Sequence, residues 1–181
     1  MMKLAAIAVV ALIAVSVSWA KVEQTFTVEG SFAYLFGITP AELNDRYDNF
    51  RPGFGIACNY LLQPIPYVSA GGRVSYARVR DRDERDIALN QLGLGALVRP
   101  QYSFNTSVAT RVFGQVGTGV YRKILADGDR LHRNSLFAVE LGGGVAIGSI
   151  EAGATYNLGI DQRFSDKMRW LQVFAALRLK V

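Results

Sequence analysis

The feature that most constrains this chain is a period of two that recurs in eight segments and keeps one face of each free of charge. The segments are 24–37, 50–61, 66–79, 88–99, 107–123, 135–147, 149–160 and 169–181. Alternation at this period predicts β-strands with two unlike faces. In the first segment Phe26, Val28, Gly30, Phe32, Tyr34 and Phe36 share a side. In the second the same side carries Phe50, Pro52, Phe54, Ile56, Cys58 and Tyr60. The sixth carries Phe137, Val139, Leu141, Gly143, Val145 and Ile147, and the eighth closes with Leu177, Leu179 and Val181. The opposite face carries glycines, amides and charges. Its charged members are Glu29, Arg51, Arg73, Arg99, Arg111, Glu140, Glu151 and Arg178.

A soluble barrel buries its apolar face and wets its polar one. Here the bulk lies on the apolar face, while the charged face also carries glycine, the narrowest residue. That inverted pattern predicts a barrel with lipid outside and a polar interior. Each segment is long enough for a tilted membrane strand, which needs roughly 9–11 residues in the bilayer core. After residue 20 no uninterrupted apolar run has the length of a membrane helix. A bilayer cannot satisfy open strand edges, so a membrane-embedded form must be closed. The expected fold is therefore all-β, an eight-stranded antiparallel up-and-down transmembrane β-barrel. At about eight strands such a barrel has room inside only for side chains.

Connection lengths alternate in the same sense. Short links at 62–65, 100–106 and Gly148 separate longer, more charged ones at 38–49, 80–87, 124–134 and 161–168. Short periplasmic turns and long outer loops are expected of this architecture, and an even strand number puts both termini on the periplasmic side. Aromatics concentrate toward the two ends of the segments. Phe26, Tyr60 and Tyr67 are assigned to the periplasmic girdle. Tyr34, Phe36, Tyr76, Tyr156 and Trp170 are assigned to the outer one. Amphipathic rings favour the headgroup region.

The first segment of the chain reads as a targeting signal. Lys3 gives a positive start, 4–17 is apolar, and Ser18 and Ala20 are the small residues a signal peptidase reads. Cleavage is expected after Ala20, leaving a barrel domain over 21–181. The apolar run falls short of the roughly 20 residues that span a bilayer as a helix. Composition narrows the remaining classes. Charged residues make up 19% of the 181 and hydrophobic ones 50%, which excludes a disordered chain. The +5 formal charge is spread thinly, without basic runs interleaved with aromatics, so no nucleic-acid partner is expected. One cysteine, Cys58, and one histidine, His132, rule out an internal disulfide and make a transition-metal site unexpected. No cofactor is expected.

On these strands, and on Gly-aromatic stretches such as GVAIGSIEAGATYNLGI at 144–160 and RWLQVFAALRLKV at 169–181, the chain resembles the small outer-membrane β-barrel proteins of the OmpX-like and opacity-protein-like group. The likeness spans 24–181. The final strand of such proteins usually ends in Phe, whereas this chain ends in Val181. The resemblance implies a bacterial outer-membrane location and contact with outer-membrane lipids and lipopolysaccharide; the oligomeric state stays open, with a monomer favoured. The resemblance also implies an extracellular ligand or host surface engaged through the loops.

Three functions of a membrane barrel stay open at this level, beside a minor reading as a soluble ligand-binding barrel. The first is a non-enzymatic barrel closed by interior salt bridges, with a structural or surface-interaction role in adhesion or protection. The second is a narrow, porin-like channel, whose arginine excess would favour anions. The third is a lipid-A-modifying enzyme, because lipid A deacylases are eight-stranded barrels with a serine, a histidine and a carboxylate. His132, Ser135 and Glu140 are the candidates for that set. They match poorly, since His132 and Ser135 are three apart at a loop edge and Glu140 is on the inward face. The run RDRDERD at 80–86 alternates in sign and reads as solvated and self-paired.

Overall fold

The structure, a computed structural model, describes residues 22–39, 50–81, 87–104, 108–127, 130–161 and 167–181. The predicted targeting segment at 1–20 lies outside the described residues. Eight strands follow in chain order: β1 (Glu23–Thr39), β2 (Phe50–Ile65), β3 (Val68–Asp81), β4 (Ile87–Phe104), β5 (Thr110–Asp127), β6 (Arg130–Ile147), β7 (Ile150–Asp161) and β8 (Lys167–Lys180). Each pairs antiparallel with its sequence neighbours, and β1 also pairs with β8, which closes an up-and-down barrel. No helix occurs among the described residues.

Every predicted strand is present, and the alternation sets its register. Val28 pairs with Cys58, Cys58 with Val74, and Val74 with Leu94, so apolar residues meet apolar residues around the exterior. Glu29, Asn59, Arg73 and Gln115 take the inward positions. The exterior is strongly apolar. Phe32 is 73% exposed, and Ile56, Leu94, Leu141, Ile150 and Val173 are likewise open. Water would not tolerate such a belt around a monomer of this size.

The end where β1 begins and β8 finishes, the near end, is made of tight connections. Pro66 and Tyr67 turn β2 into β3, and Gly148 and Ser149 turn β6 into β7. Gly148 sits at φ 60°, a conformation that favours glycine. Cross-links steady this rim: Gln101 N donates to Tyr67 O at 2.8 Å, and Arg178 N to Ser149 O at 2.7 Å.

The far end departs from the predicted segments. The link expected over 124–134 is mostly strand, since β5 and β6 stay paired to Asp127 and Arg130. The β6–β7 ladder already stops at Leu136 and Asp161. A β5–β6 ribbon, paired to β4 on one side, therefore stands above the barrel rim. The cause is local: pairing partners continue on both strands, and nothing in the alternation marks where the bilayer ends.

Candidate functional site: the barrel interior

The inward face brings polar side chains from seven strands, β1 to β7, into one layer. Arg73 on β3 meets Glu29 on β1 in a two-pronged pair, Nη1 to Oε2 at 2.9 Å and Nη2 to Oε1 at 2.8 Å. This fork-to-fork geometry is the strongest form of arginine–carboxylate contact. Arg73 Nη1 also donates to Asn59 Oδ1 at 3.3 Å, and Asn59 Nδ2 donates to Thr27 Oγ1 at 2.9 Å. On the other side Arg73 Nε lies 3.7 Å from Glu140 Oε2. Glu140 accepts from Gln115 Nε2, and Gln115 Oε1 accepts from Arg99 Nη2 at 2.7 Å. Arg99 Nη1 then donates to Glu151 Oε2 at 2.6 Å.

The result is one connected chain of polar groups from Thr27 on β1 to Glu151 on β7. Glu29, Glu151 and Arg99 are at most 2% exposed. Charges so deep require partners, and each of these has one. An aromatic floor lies beneath. Arg99 Cζ stands 4.3 Å from the Phe113 ring centroid, a cation–π distance, and Phe113 neighbours Phe174 at 6.4 Å. Gly144 and Gly153 make room for these rings. A Cβ on either would come within 2.8 Å of Phe113 Cζ or Phe174 Cζ respectively, and closer still to backbone.

At the near end Arg178 Nη2 donates to Thr25 Oγ1 at 3.1 Å and to Glu23 Oε1 at 3.3 Å. Arg111 is inward but only half-buried, with Nη1 3.3 Å from Gln101 Oε1. Two of the expected positions are corrected. Arg51 does not enter the interior. The β2–β3 register shifts between Arg51 and Phe54, and Arg51 pairs with Arg80. Cross-strand partners share a face, and Arg80 is on the exterior, so the bulge turns Arg51 outward as well.

Trp170 is the second correction. It is 2% exposed and packs inside the barrel, edge-on to Tyr121 with ring centroids 5.5 Å apart. It belongs to a compact apolar cluster in the far half of the interior, with Val79, Leu89, Leu136 and Met168. The interior is thus layered, charged in the middle and apolar above. The signal was present. Val79, Leu89, Leu136 and Trp170 each lie two residues from an inward residue of the same strand, Ala77, Gln91, Ala138 and Gln172.

The other aromatic positions point outward. Tyr60 and Tyr67 are exposed near one rim, with Phe26 half-buried. Tyr34 and Tyr156 are exposed and Tyr76 half-buried toward the other. The Phe36 side chain lies outside the described residues, as does that of His132. Ser135 lies on the exterior parity of β6 while Glu140 points inward, so the two cannot serve one triad. Among the described residues no group of His, Cys, Asp and Glu side chains converges as a metal site.

This is the fold of small eight-stranded outer-membrane β-barrel proteins. Neisserial surface protein A superposes with a TM-score of 0.63 at 14% identity, over 87% of this chain and 97% of that one. Ail, the attachment invasion locus protein of Yersinia pestis, superposes with a TM-score of 0.51 at 12% identity, over 88% of this chain and 100% of that one. No family model and no curated protein matches the sequence. At these identities the likeness defines the architecture and leaves the role to the residues themselves.

Proposed function

We propose that the chain is a non-enzymatic bacterial outer-membrane barrel, exported by cleavage after Ala20. Its interior is closed by the salt-bridged layer, and its role is structural or surface-interactive. The observation that carries this reading is the inversion of polarity: an apolar exterior belt surrounds a layer of buried ion pairs. Lipid is the solvent that makes both stable at once. The outward aromatics at the two rims act as interfacial girdles. Function then resides in what the far end presents, because the barrel offers rigidity and loops carry recognition. The name of Ail, an attachment protein, is in keeping with that role.

The buried layer favours closure over conduction. An ion crossing it would have to displace the Arg73–Glu29 and Arg99–Glu151 pairs in a bore already occupied by side chains. Two measurements test the reading. Mature protein is expected in the outer-membrane fraction, with migration in SDS that changes on boiling. Planar bilayers containing it are expected to show no steady conductance steps. Recovery from the periplasm without detergent would overturn the membrane reading, and reproducible steps would overturn closure.

A further inference from the structure

The seam between β1 and β2 opens toward the far end. Its ladder climbs from Glu23 and Gln63 to Ala33 and Gly53 and stops there. Both strands continue. β1 stays paired with β8 as far as Thr39, while Phe50 and Arg51 of β2 stay paired with β3. Each ladder shifts register at this height, that of β1 and β8 between Leu35 and Gly37, that of β2 and β3 between Arg51 and Phe54. A bulge bends its strand, and Pro52, inside the second one, has no N–H to offer a neighbour. Among the described residues no ladder rejoins β1 to β2 above Ala33. The wall is therefore split there, with the cross-strand pair Phe32 and Phe54, both open to the exterior, as its sill.

Behind the split, the apolar cluster leaves a narrow cavity. Ala33 and Leu35 of β1, Ala77 and Val79 of β3, Gln91 of β4 and Trp170 of β8 line it. β2 lies between β1 and β3 yet lends no side chain, because its residue at that height is Gly53. A Cβ on Gly53 would come within 2.6 Å of Val79 Cγ1. Leu89 and Met168, at most 2% exposed, stand over the cavity at the far end. The ion-paired layer lies beneath. Among the described residues the split is the way in that remains. Gln91 differs from the rest of the lining. It is buried, and its Nε2 has no hydrogen-bond acceptor. A buried donor left unanswered is costly. A slim apolar slot with one such donor on its wall fits a single hydrocarbon chain that ends in an acceptor oxygen.

We propose that this slot, entered sideways through the β1–β2 split, binds an unbranched aliphatic carbonyl compound, such as a long-chain ketone dissolved in the leaflet. Its carbonyl oxygen accepts from Gln91 Nε2, and its chain leaves over Phe32 and Phe54 into hydrocarbon. A plain alkane would leave Gln91 unanswered. The inference rests on the outer-membrane reading and adds to the closed barrel a blind pocket that opens to lipid.

The test uses protein purified in a non-ionic detergent from the membrane fraction of cells expressing the full chain. Radiolabelled methyl nonyl ketone is titrated onto it against micelles alone, then displaced with the unlabelled ketone or with undecane. Saturable binding of one ketone per barrel is expected. Undecane should compete roughly three- to tenfold less well, the worth of one hydrogen bond. Gln91→Leu, which keeps the bulk and removes the donor, should erase that difference. Ala33→Leu, which fills the cavity, should abolish saturable binding, while Ala96→Leu on the exterior of β4 should keep it. Absence of saturable binding to the unaltered protein would overturn the proposal, as would undecane competing equally or Gln91→Leu keeping the preference. Each protein is also run unboiled and boiled in SDS. If Ala33→Leu shows no shift, Gln91→Leu decides alone. Unaltered protein that shifts yet binds nothing sinks the pocket alone, whereas unaltered protein without a shift sinks the membrane barrel.

Discussion

Glu29 and Arg73 hold each other in place. Both are buried, and their paired hydrogen bonds match a planar carboxylate to a planar guanidinium. Arg73 also faces Glu140 at 3.7 Å, so removing the guanidinium leaves two buried carboxylates without their cation, and breaking a buried pair typically costs about 3–5 kcal/mol. Arg73→Leu is therefore expected to lower the temperature at which the SDS-resistant form is lost. The double variant Glu29→Leu/Arg73→Leu, which leaves one such carboxylate instead of two, is expected to be less damaged than the single one. A double variant worse than Arg73→Leu would contradict the assignment of the cost to orphaned charges.

Trp170 gives a second test at this scale. Trp19 lies in the predicted signal, so cleavage after Ala20 would leave Trp170 as the single tryptophan. Buried against Tyr121 inside the wall, Trp170 is expected to be quenched by bromine-labelled acyl chains much less than a tryptophan introduced by Tyr34→Trp in a Trp170→Phe background. Equal quenching would return Trp170 to the lipid-facing girdle. The sequence misplaced this residue because an aromatic near a strand end reads as interfacial. Its parity, two before the inward Gln172, was the better guide. Arg51 was misplaced for the opposite reason. Parity alone put it inside, and a bulge, which has no period, reversed it.

At the scale of elements, the eight strands and their order were legible from alternation, because a one-residue slip would drive charges into lipid. Strand ends were less legible. β4, β5 and β6 each run to 18 residues, against 12 for β7. Strand pairing can continue in water beyond the bilayer, and the residues that do so need not be apolar. The β5–β6 ribbon beyond Leu136 makes no ladder with β7. Replacing 125–132 with a two-residue turn is expected to leave the boiling-dependent gel shift intact. Loss of the shift would mean that the ribbon is needed for closure. The polar network was legible in part. Its charges were visible as inward residues, but the relay through Asn59 and Gln115 depends on which strands face each other across the bore, and alternation along a strand does not encode that.

For the whole molecule, the account rests on one physical inversion: side chains that would form a core in water are turned outward, and charges that would be hydrated are paired within. The chain carries its own reporter of this arrangement. Cys58 is its only cysteine and is exposed on the exterior of β2, between Val28 and Val74 on the neighbouring strands and flanked by Ile56 and Tyr60. A nitroxide spin label attached there, with the protein reconstituted in bilayers, reads the solvent of the belt directly. The account predicts strong relaxation by molecular oxygen and little by a water-soluble nickel chelate, the signature of hydrocarbon. Relaxation dominated by the chelate would place Cys58 in water and contradict the membrane barrel.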